Sequence, residues 1–239
     1  MVSITILVDD LNGSKEGFTC SYGFSALIEL EGTKVLFDAG TRAKPLLDNL
    51  EILGYPPSAL DCVILSHNHY DHTDGLPGII KDNKNIPVFV HNLWDSKVSF
   101  KGFQVPIKNK RVIKNPRALT EISEDLFITD VYYSNDYGGI QEHACYIRAE
   151  DSYILLSGCC HPGLNLFLEV RKKLNIPLNA SLSIIGGFHG FKFSNKDAQV
   201  LYPQLKQIIV CHCTSHITQY QKQFSGKCSI GIVGKTYTF

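Results

Sequence analysis

The sequence has no run of apolar residues that approaches the roughly 20 needed to cross a bilayer, so we expect no transmembrane segment. Its beginning lacks a basic stretch and reaches Asp9 and Asp10 too early for a secretory signal peptide. Neither charge sign is in surplus, since Lys and Arg total 23 and Asp and Glu total 23, which argues against nucleic acid as the main partner. The eight cysteines lack the spacing of a small disulfide framework, so we expect reduced thiols and a cytoplasmic protein.

Short apolar segments alternate with segments of helical spacing along most of the 239 residues, a length that suffices to bury a sizeable core. Strands are predicted where apolar residues alternate or form brief runs bounded by turn signals, and helices where they recur every three or four residues. The predicted strands are 3–8, 26–30, 34–37, 63–65, 87–91, 153–156, 182–185 and 208–211, and the predicted helices are 46–53, 164–174, 197–205 and 217–224. This order favours an α/β sandwich in which sheets are covered by helices.

A basic segment interrupts the pattern. Between Lys97 and Arg117 there are seven basic residues and no acid, and acidic residues return between Glu121 and Asp136. We interpret the stretch around 97–140 as an irregular insertion in a single domain spanning 1–239, because it is too short to have its own core. Folded over a binding site, its charge would attract an anionic substrate such as a phosphate; the alternative is an ordinary solvated face.

The strongest chemical signal is the run His67-Asn-His69-Tyr-Asp71-His72, which follows the predicted strand 63–65. Residues two apart in an extended segment point the same way, so His67 and His69 can bind one ion together. Asp71 and His72 follow where the chain turns, and they can face a second ion. Imidazole and carboxylate ligands suit Zn²⁺, and also Fe or Mn, so the sequence predicts a site for one or two such ions.

Three further histidines follow predicted apolar strands, at positions where the active-site loops of layered α/β folds gather: His161, His189 and His212. They are candidates to complete the site, whereas His91 and His216 lack such a setting and are interpreted as structural. Cys211 and Cys213 flank His212. Strand alternation would put both thiols on the face opposite the histidine, so we interpret them as packing residues.

Together these residues resemble the metallo-β-lactamase superfamily, whose hallmark is an H-x-H-x-D-H loop. The resemblance is closer to one branch, the dihydropterin-methyl-ribofuranosyl-aminobenzene-phosphate synthase-like proteins, which are often described as metal-dependent hydrolases. It covers nearly the whole chain and includes a strand that ends in an aspartate, here Leu36-Phe37-Asp38. The four ordered motifs of the branch read His67-Asn-His-Tyr-Asp-His-Thr-Asp-Gly-Leu76, Gly158-Cys-Cys-His-Pro-Gly163, Gly186-Gly-Phe-His189 and His212-Cys-Thr-Ser215.

The resemblance implies a four-layer αββα sandwich, in which two mixed β-sheets are flanked by helices and the metal site lies at one edge of the sheets. The metal ligands that it implies are His67, His69, Asp71, His72, His161 and His212. The aspartate that usually bridges two ions in the wider superfamily is missing here, because Cys159 follows Gly158. Glu142 or His143 is a candidate to fill the vacant ligand position, and the alternative is that both are surface residues on a strand edge.

The chemistry expected of such a site is hydrolysis. A cation held by neutral imidazoles lowers the pKa of its bound water from about 15.7 to about 7, which suits attack on an ester, a lactone or a phosphate ester. Asp71 is the candidate base that orients this water, and His189 is the candidate proton donor or substrate contact. Asp74, which replaces a glycine of the branch beside the metal loop, is a second candidate substrate contact.

Other functions stay open. The runner-up is a transferase that condenses a pterin diphosphate with an aromatic amine, in which the cation would bind the diphosphate. A non-catalytic module that binds metal or ligand is a further alternative. A diiron protein is disfavoured, because that type usually has glutamate at the position of His69, and the neutral charge disfavours a nuclease. We expect a small-molecule substrate and neither a nucleic-acid nor a membrane partner, and a homo-oligomer stays open.

Overall fold

The computed structural model describes residues 1–114 and 116–239, in which strands form two seven-stranded sheets and one small hairpin. Strands β1 to β16 are, in chain order, Val2–Val8, Ser25–Leu30, Thr33–Phe37, Cys62–Ile64, Val88–His91, Lys110–Ile113, Arg117–Ala118, Leu126–Ile128, Tyr132–Ser134, Ile140–Glu142, Cys145–Ala149, Ser152–Ser157, Ser181–Gly186, Leu205–Val210, Cys228–Ile230 and Thr236–Thr238. Helices α1 to α6 are Ala43–Ile52, Tyr70–Thr73, Leu76–Asp82, Leu164–Glu169, Asn195–Leu201 and Ile217–Gln223. Short 3₁₀ turns occur at Pro57–Ala59, Asp136–Gly138 and Val170–Lys172. No helix among the described residues is both long enough and apolar enough to cross a bilayer.

Both large sheets are mixed. The first has the order β16-β1-β2-β3-β4-β5-β6, and its neighbours are antiparallel up to β3 and parallel from β3 to β6. The second has the order β15-β14-β13-β12-β11-β8-β7, parallel from β15 to β12 and antiparallel beyond. Strands β9 and β10 pair only with each other in an antiparallel hairpin. The prediction of two mixed sheets flanked by helices is confirmed.

Strand alternation explains why the sheets stack face to face with helices outside. In β3, Val35 and Phe37 join the core between the sheets, while Leu36 belongs to a separate outer core beneath α1 and α3. In β12, Ile154 joins the core between the sheets and Leu155 joins the outer core of the second sheet, beneath α4 to α6. Because both faces of each central strand are buried, four layers result.

The basic segment carries the chain from one sheet to the other. The longer stretch around 97–140 supplies β6 at the edge of the first sheet and β7 and β8 at the edge of the second, so it contains more regular structure than its charge pattern indicates. Exposed charged side chains are compatible with strands at a sheet edge, where they discourage pairing with other chains. Two of these charges form ion pairs, Lys110 with Asp95 at 2.8 Å and Arg117 with Glu121 at 3.4 Å.

Two of the four predicted helices, 164–174 and 197–205, end four or five residues before the predicted boundary. The predicted helix 197–205 begins earlier, because the Ser194 side chain accepts the backbone N–H of Asp197 and caps the first turn. It ends at Leu201, shortly before Pro203, which cannot continue a helix, and Leu205 already belongs to β14. The predicted helix 164–174 tightens into a 3₁₀ turn after Glu169.

Asn49 is a polar residue that α1 buries completely. Its Nδ2 donates to the carbonyls of Leu7 at 2.7 Å and Thr19 at 2.8 Å, and its Oδ1 accepts the Thr19 N–H at 2.9 Å. These bonds attach α1 to the end of β1 and to the segment that follows it.

Replacing this side chain with alanine therefore removes a hydrogen-bond partner from three backbone groups. We expect Asn49→Ala to lower the free energy of unfolding by about 2 kcal/mol or more, since buried polar groups without partners are costly. The matched control is Asp48→Ala, which removes an ion pair with the exposed Lys44 and should cost about 0.5 kcal/mol or less. Denaturant titration of both variants measures the difference, and equal midpoints would contradict the role given to Asn49.

Candidate metal centre

The predicted site residues meet at one end of the two sheets. The histidine–aspartate loop follows β4 and leads into α2. From the second sheet, His161, His189 and His212 follow β12, β13 and β14, three strands that are parallel neighbours. Because parallel strands end at the same edge, loops far apart in sequence converge there.

His67, His69 and His161 form a first cluster. Their ligand nitrogens all lie within 4.8 Å of one another. The Nε2 atoms of all three are buried, and none has a hydrogen-bond partner among the described residues. Buried ring nitrogens are normally paired, so three that lack partners and converge on one place fit a cation as their common partner.

The opposite ring nitrogens of this cluster are held by other groups. Ser66 Oγ donates to Asp38 Oδ2 at 2.7 Å and lies 2.9 Å from His67 Nδ1, so its oxygen is left to accept the Nδ1–H. That tautomer leaves the lone pair on His67 Nε2. On the other side, His161 Nδ1 lies 3.1 Å from Asp136 Oδ2. Such contacts orient a histidine ring toward a metal and raise its basicity.

Asp71, His72 and His212 form a second cluster, whose ligand atoms also lie within 4.8 Å of one another. Here the polar atoms are already paired, with His212 Nε2 3.1 Å from Asp71 Oδ2. The other ring nitrogens contact further carboxylates: His72 Nδ1 lies 2.7 Å from Asp38 Oδ2, and His212 Nδ1 lies 2.6 Å from Asp10 Oδ1.

The histidines of the two clusters differ in the direction of their pKa shifts. Burial lowers the pKa of His67 well below its usual value, that of His69 to about 4 and that of His161 to about 3, so the first cluster is neutral at pH 7. Burial also opposes charge on His212, but hydrogen bonds to Asp10 and Asp71 outweigh it and raise the pKa to about 10.

Cys159 lies between the clusters. Its Sγ is 3.0 Å from His72 Nε2, and it groups with His67 and His72 on one side and with His212 and Cys213 on the other. The interpretation of Cys213 as a packing residue is wrong, because this residue lines the cleft. Strand β14 ends at Val210 and Cys213 has a φ of +60°, so strand alternation no longer determines its direction. Cys211 does pack in the core between the sheets.

Glu142 and His143 are neither surface residues nor members of either cluster. Glu142 is fully buried, and its carboxylate accepts the backbone N–H groups of Cys159, Cys160 and His161 at 2.7–2.9 Å. Burial raises the pKa of Glu142 to about 7. His143 is buried as well, with Nε2 2.8 Å from the Leu65 carbonyl. Glu142 therefore fixes the turn that carries His161.

Asp74 was a candidate substrate contact, but its side chain does not line the cleft. Its Oδ1 accepts the Phe103 N–H at 2.7 Å and so anchors the loop that carries Phe100. His189 does line the cleft, with Nε2 3.3 Å from Tyr137 Oη and Nδ1 3.7 Å from Asp136 Oδ2. The role of His189 as a substrate contact or proton donor stays a prediction.

The cleft above the clusters is open to solvent. Four aromatic side chains contribute to its walls: Tyr22, Tyr70, Phe100 and Tyr137. Within the described part of the chain, its lining includes no lysine or arginine. The basic residues expected to attract an anion thus do not form the walls.

Sequence reasoning missed the acids that support the histidines. Asp9 is buried, and its carboxylate accepts the His212 N–H at 2.7 Å and the Leu11 N–H at 2.8 Å. Burial raises the pKa of Asp9 to about 6. The position of Asp9 and Asp10 directly after the apolar strand β1 could have indicated a role at the site. Asp136 lies in a polar segment that gives no such indication.

These features define a class, an αββα sandwich with a histidine–aspartate centre where the strands of both sheets end. The sequence profile of the metallo-β-lactamase superfamily matches residues 18–159. The chain belongs to this superfamily, as its motifs indicate.

A synthase and two solved structures are similar to this chain over nearly its whole length. The chain is 32% identical to the 7,8-dihydropterin-6-methyl-4-(beta-D-ribofuranosyl)-aminobenzene-5'-phosphate synthase of Methanocaldococcus jannaschii, over 93% of this chain and 89% of that one. Among solved structures, Tm1679, a metal-dependent hydrolase of the β-lactamase superfamily, superposes with a TM-score of 0.74 and 22% identity, covering 100% of this chain and 99% of the other. YhfI of Bacillus subtilis, a metallo-β-lactamase fold protein, gives a TM-score of 0.64 at 14% identity, covering 99% and 98%. The two solved structures establish the fold.

The turn held by Glu142 provides a test of the centre. We expect Glu142→Ala to weaken binding of a divalent cation about 10–100-fold, the usual cost of removing a group that orients a ligand. Isothermal titration of the metal-stripped protein with Zn²⁺ measures this. Gln141→Ala, on the same strand, has no side-chain hydrogen bond to residues 159–161 and serves as the control. Equal affinities in the two variants would contradict the positioning role.

Proposed function

We propose that this protein is a metal-dependent hydrolase of small-molecule substrates. His67, His69 and His161 hold a first divalent cation, and Asp71, His72 and His212 a second. The observation that carries the proposal is the set of three buried Nε2 atoms that converge without partners among the described residues. Zinc is the cation that suits these imidazole and carboxylate ligands.

A bound divalent cation supplies water of lowered pKa and polarises the bond under attack. The residues of the chain do the rest. Burial opposes ionisation of Asp71, but His72 and His212 outweigh it and hold its pKa well below the usual range, so its carboxylate stays ionised and orients the attacking water. His189, at the wall of the cleft, donates a proton to the leaving group or contacts the substrate.

The cleft restricts the substrate class. Its aromatic walls suit a small-molecule substrate with apolar or flat portions. An ester, a lactone or a phosphate ester is attacked by the same activated water. Because the described lining includes no basic side chain, the cations themselves would bind any negative charge on the substrate.

The aromatic walls also favour a second candidate, the condensation of a pterin diphosphate with an aromatic amine. Both reactants contain flat rings that stack on tyrosine and phenylalanine. The 32% identity to a synthase that makes a pterin-aminobenzene product supports the same reaction. Against it, the described walls have no lysine or arginine to assist the cations in binding a diphosphate.

Metal content tests the assignment of the ligands. We expect His69→Ala and His161→Ala each to lose about one ion per chain relative to wild type, because each removes one of three converging nitrogens. Elemental analysis after zinc loading measures this, with His216→Ala as the control, since that residue belongs to neither cluster. An unchanged metal content in both variants would contradict the assignment of the first site.

His189 tests the chemistry separately from the metal. We expect His189→Ala to keep the wild-type metal content and to lose about 100-fold or more in kcat, the usual contribution of a positioned proton donor. The assay is turnover of a panel of esters, lactones and phosphate esters, run beside a product assay with a pterin diphosphate and an aromatic amine. Condensation without hydrolysis would contradict the hydrolase proposal and support the transferase. Metal binding without either reaction would support a non-catalytic module.

A further inference from the structure

Cys159 and Cys213 are two free thiols that lie side by side in the cleft. Both residues contribute to its lining, and their Sγ atoms lie within 4.8 Å of each other. The side chain of Cys213 is partly exposed, whereas Cys159 is buried. A small molecule that enters the cleft can therefore reach the Cys213 sulfur, and a second thiol lies within reach of the first.

The second sheet explains why these sulfurs meet. They follow β12 and β14, two strands that β13 separates by roughly 9–10 Å. Strand β13 ends at Gly186, and the turns after its two neighbours close over the next residue, Gly187. A Cβ atom at Gly187 would lie 2.7 Å from Cys213 Sγ and 2.4 Å from the Gly158 carbonyl oxygen. The missing side chain thus lets the two turns, and with them the two thiols, approach each other.

We propose that Cys159 and Cys213 are a redox-active pair that a hydroperoxide oxidises to a reversible disulfide. The Cys213 sulfur attacks the O–O bond and becomes a sulfenic acid, and the leaving oxygen takes the thiol proton and departs as an alcohol or as water. The Cys159 sulfur then attacks the sulfenic sulfur, and the hydroxyl group leaves with the Cys159 proton as water. Two electrons pass from the thiols to the peroxide, and a dithiol reductant reverses the change by exchange.

The neighbouring cysteines point elsewhere. Cys160 packs in the outer core of the second sheet, and Cys211 packs in the core between the sheets. Both are buried, and neither lines the cleft. Cys20 is exposed but lies outside the cleft lining. The structure therefore favours one specific disulfide over general oxidation of the thiols.

The disulfide has a consequence for the metal centre, and this consequence rests on the proposed function. Bonded sulfurs are roughly 2.05 Å apart, so closing the bond draws together the turns that carry His161 and His212. These histidines belong to different clusters of the proposed centre. We expect oxidation to weaken zinc binding at least about tenfold, as for other changes that misorient ligands, and a dithiol reductant to restore it.

Peroxide treatment tests the pair. The parent protein for this experiment is the full-length chain with Cys20→Ser, which removes the exposed thiol that could join two molecules. It is treated with hydrogen peroxide both as purified and after removal of metal by a chelator. We expect the loss of two thiols per chain, at least in the metal-free form, and a reducible cross-link between the tryptic peptides 149–171 and 207–222.

Variants identify the bonded residues, because each of these peptides contains two cysteines. Cys159→Ser and Cys213→Ser should each lose the cross-link, whereas the controls Cys160→Ser and Cys211→Ser should keep it. In Cys159→Ser the sulfenic acid on Cys213 has no partner, so dimedone should trap it as an adduct. This gain of signal guards against a loss that is due only to misfolding.

The outcomes separate the pair from the proposed function. A cross-link that survives Cys159→Ser or Cys213→Ser, or its absence from both forms of the parent protein, would overturn the pair. Zinc titration of the oxidised and reduced protein tests the consequence, and equal affinities would overturn the effect on the metal centre while leaving the pair. A reduced protein that binds no zinc but forms the cross-link would contradict the proposed function and support the pair.

Discussion

A single buried carboxylate, that of Asp38, holds the two halves of the site in place. Its oxygens accept the backbone N–H and the hydroxyl of Ser66 and lie 2.7 Å from His72 Nδ1, so it orients the loop that carries both clusters. The second sheet closes against the same group at Gly158, where a Cβ atom would clash with Ser66 Oγ and lie 2.9 Å from Asp38 Oδ2. Only glycine permits this approach, and it lets His161, three residues later, reach His67.

Backbone strain concentrates around the site. Among the described residues, six non-glycine positions near the clusters have φ between 42° and 63°: Asp38, Phe100, Tyr137, Cys160, His189 and Cys213. Such angles are uncommon outside glycine and persist only where the surroundings fix them. Here the surroundings are three buried apolar cores and the hydrogen bonds of Asp38 and Glu142. The sandwich thus stabilises loops that on their own would not aim these side chains into one cleft.

The sequence allowed the fold and the histidines to be predicted, because both leave periodic or clustered signals. Short apolar runs identified β3 and β12 as strands, and His161 and His212 could be located by the apolar strands before them. The supporting role of Glu142 could not be found in this way. Glu142 acts on backbone N–H groups, which every residue has, so no sequence pattern marks its partners. Cys213 was misjudged because alternation was extended beyond the end of its strand.

The difference between the two clusters bears on how the centre fills. In the first, three neutral imidazoles offer lone pairs that no described group uses, so a cation gains their interaction without breaking an existing bond. In the second, a cation would have to break the hydrogen bond between His212 and Asp71. It would also have to displace the proton that His212 holds because its pKa is raised. Because unpaired buried nitrogens are costly, we expect the first cluster of the proposed centre to bind a cation before the second. A cation in the first cluster would place a positive charge beside His72 and His212, and this charge would favour the neutral forms that the second cluster needs to bind a cation.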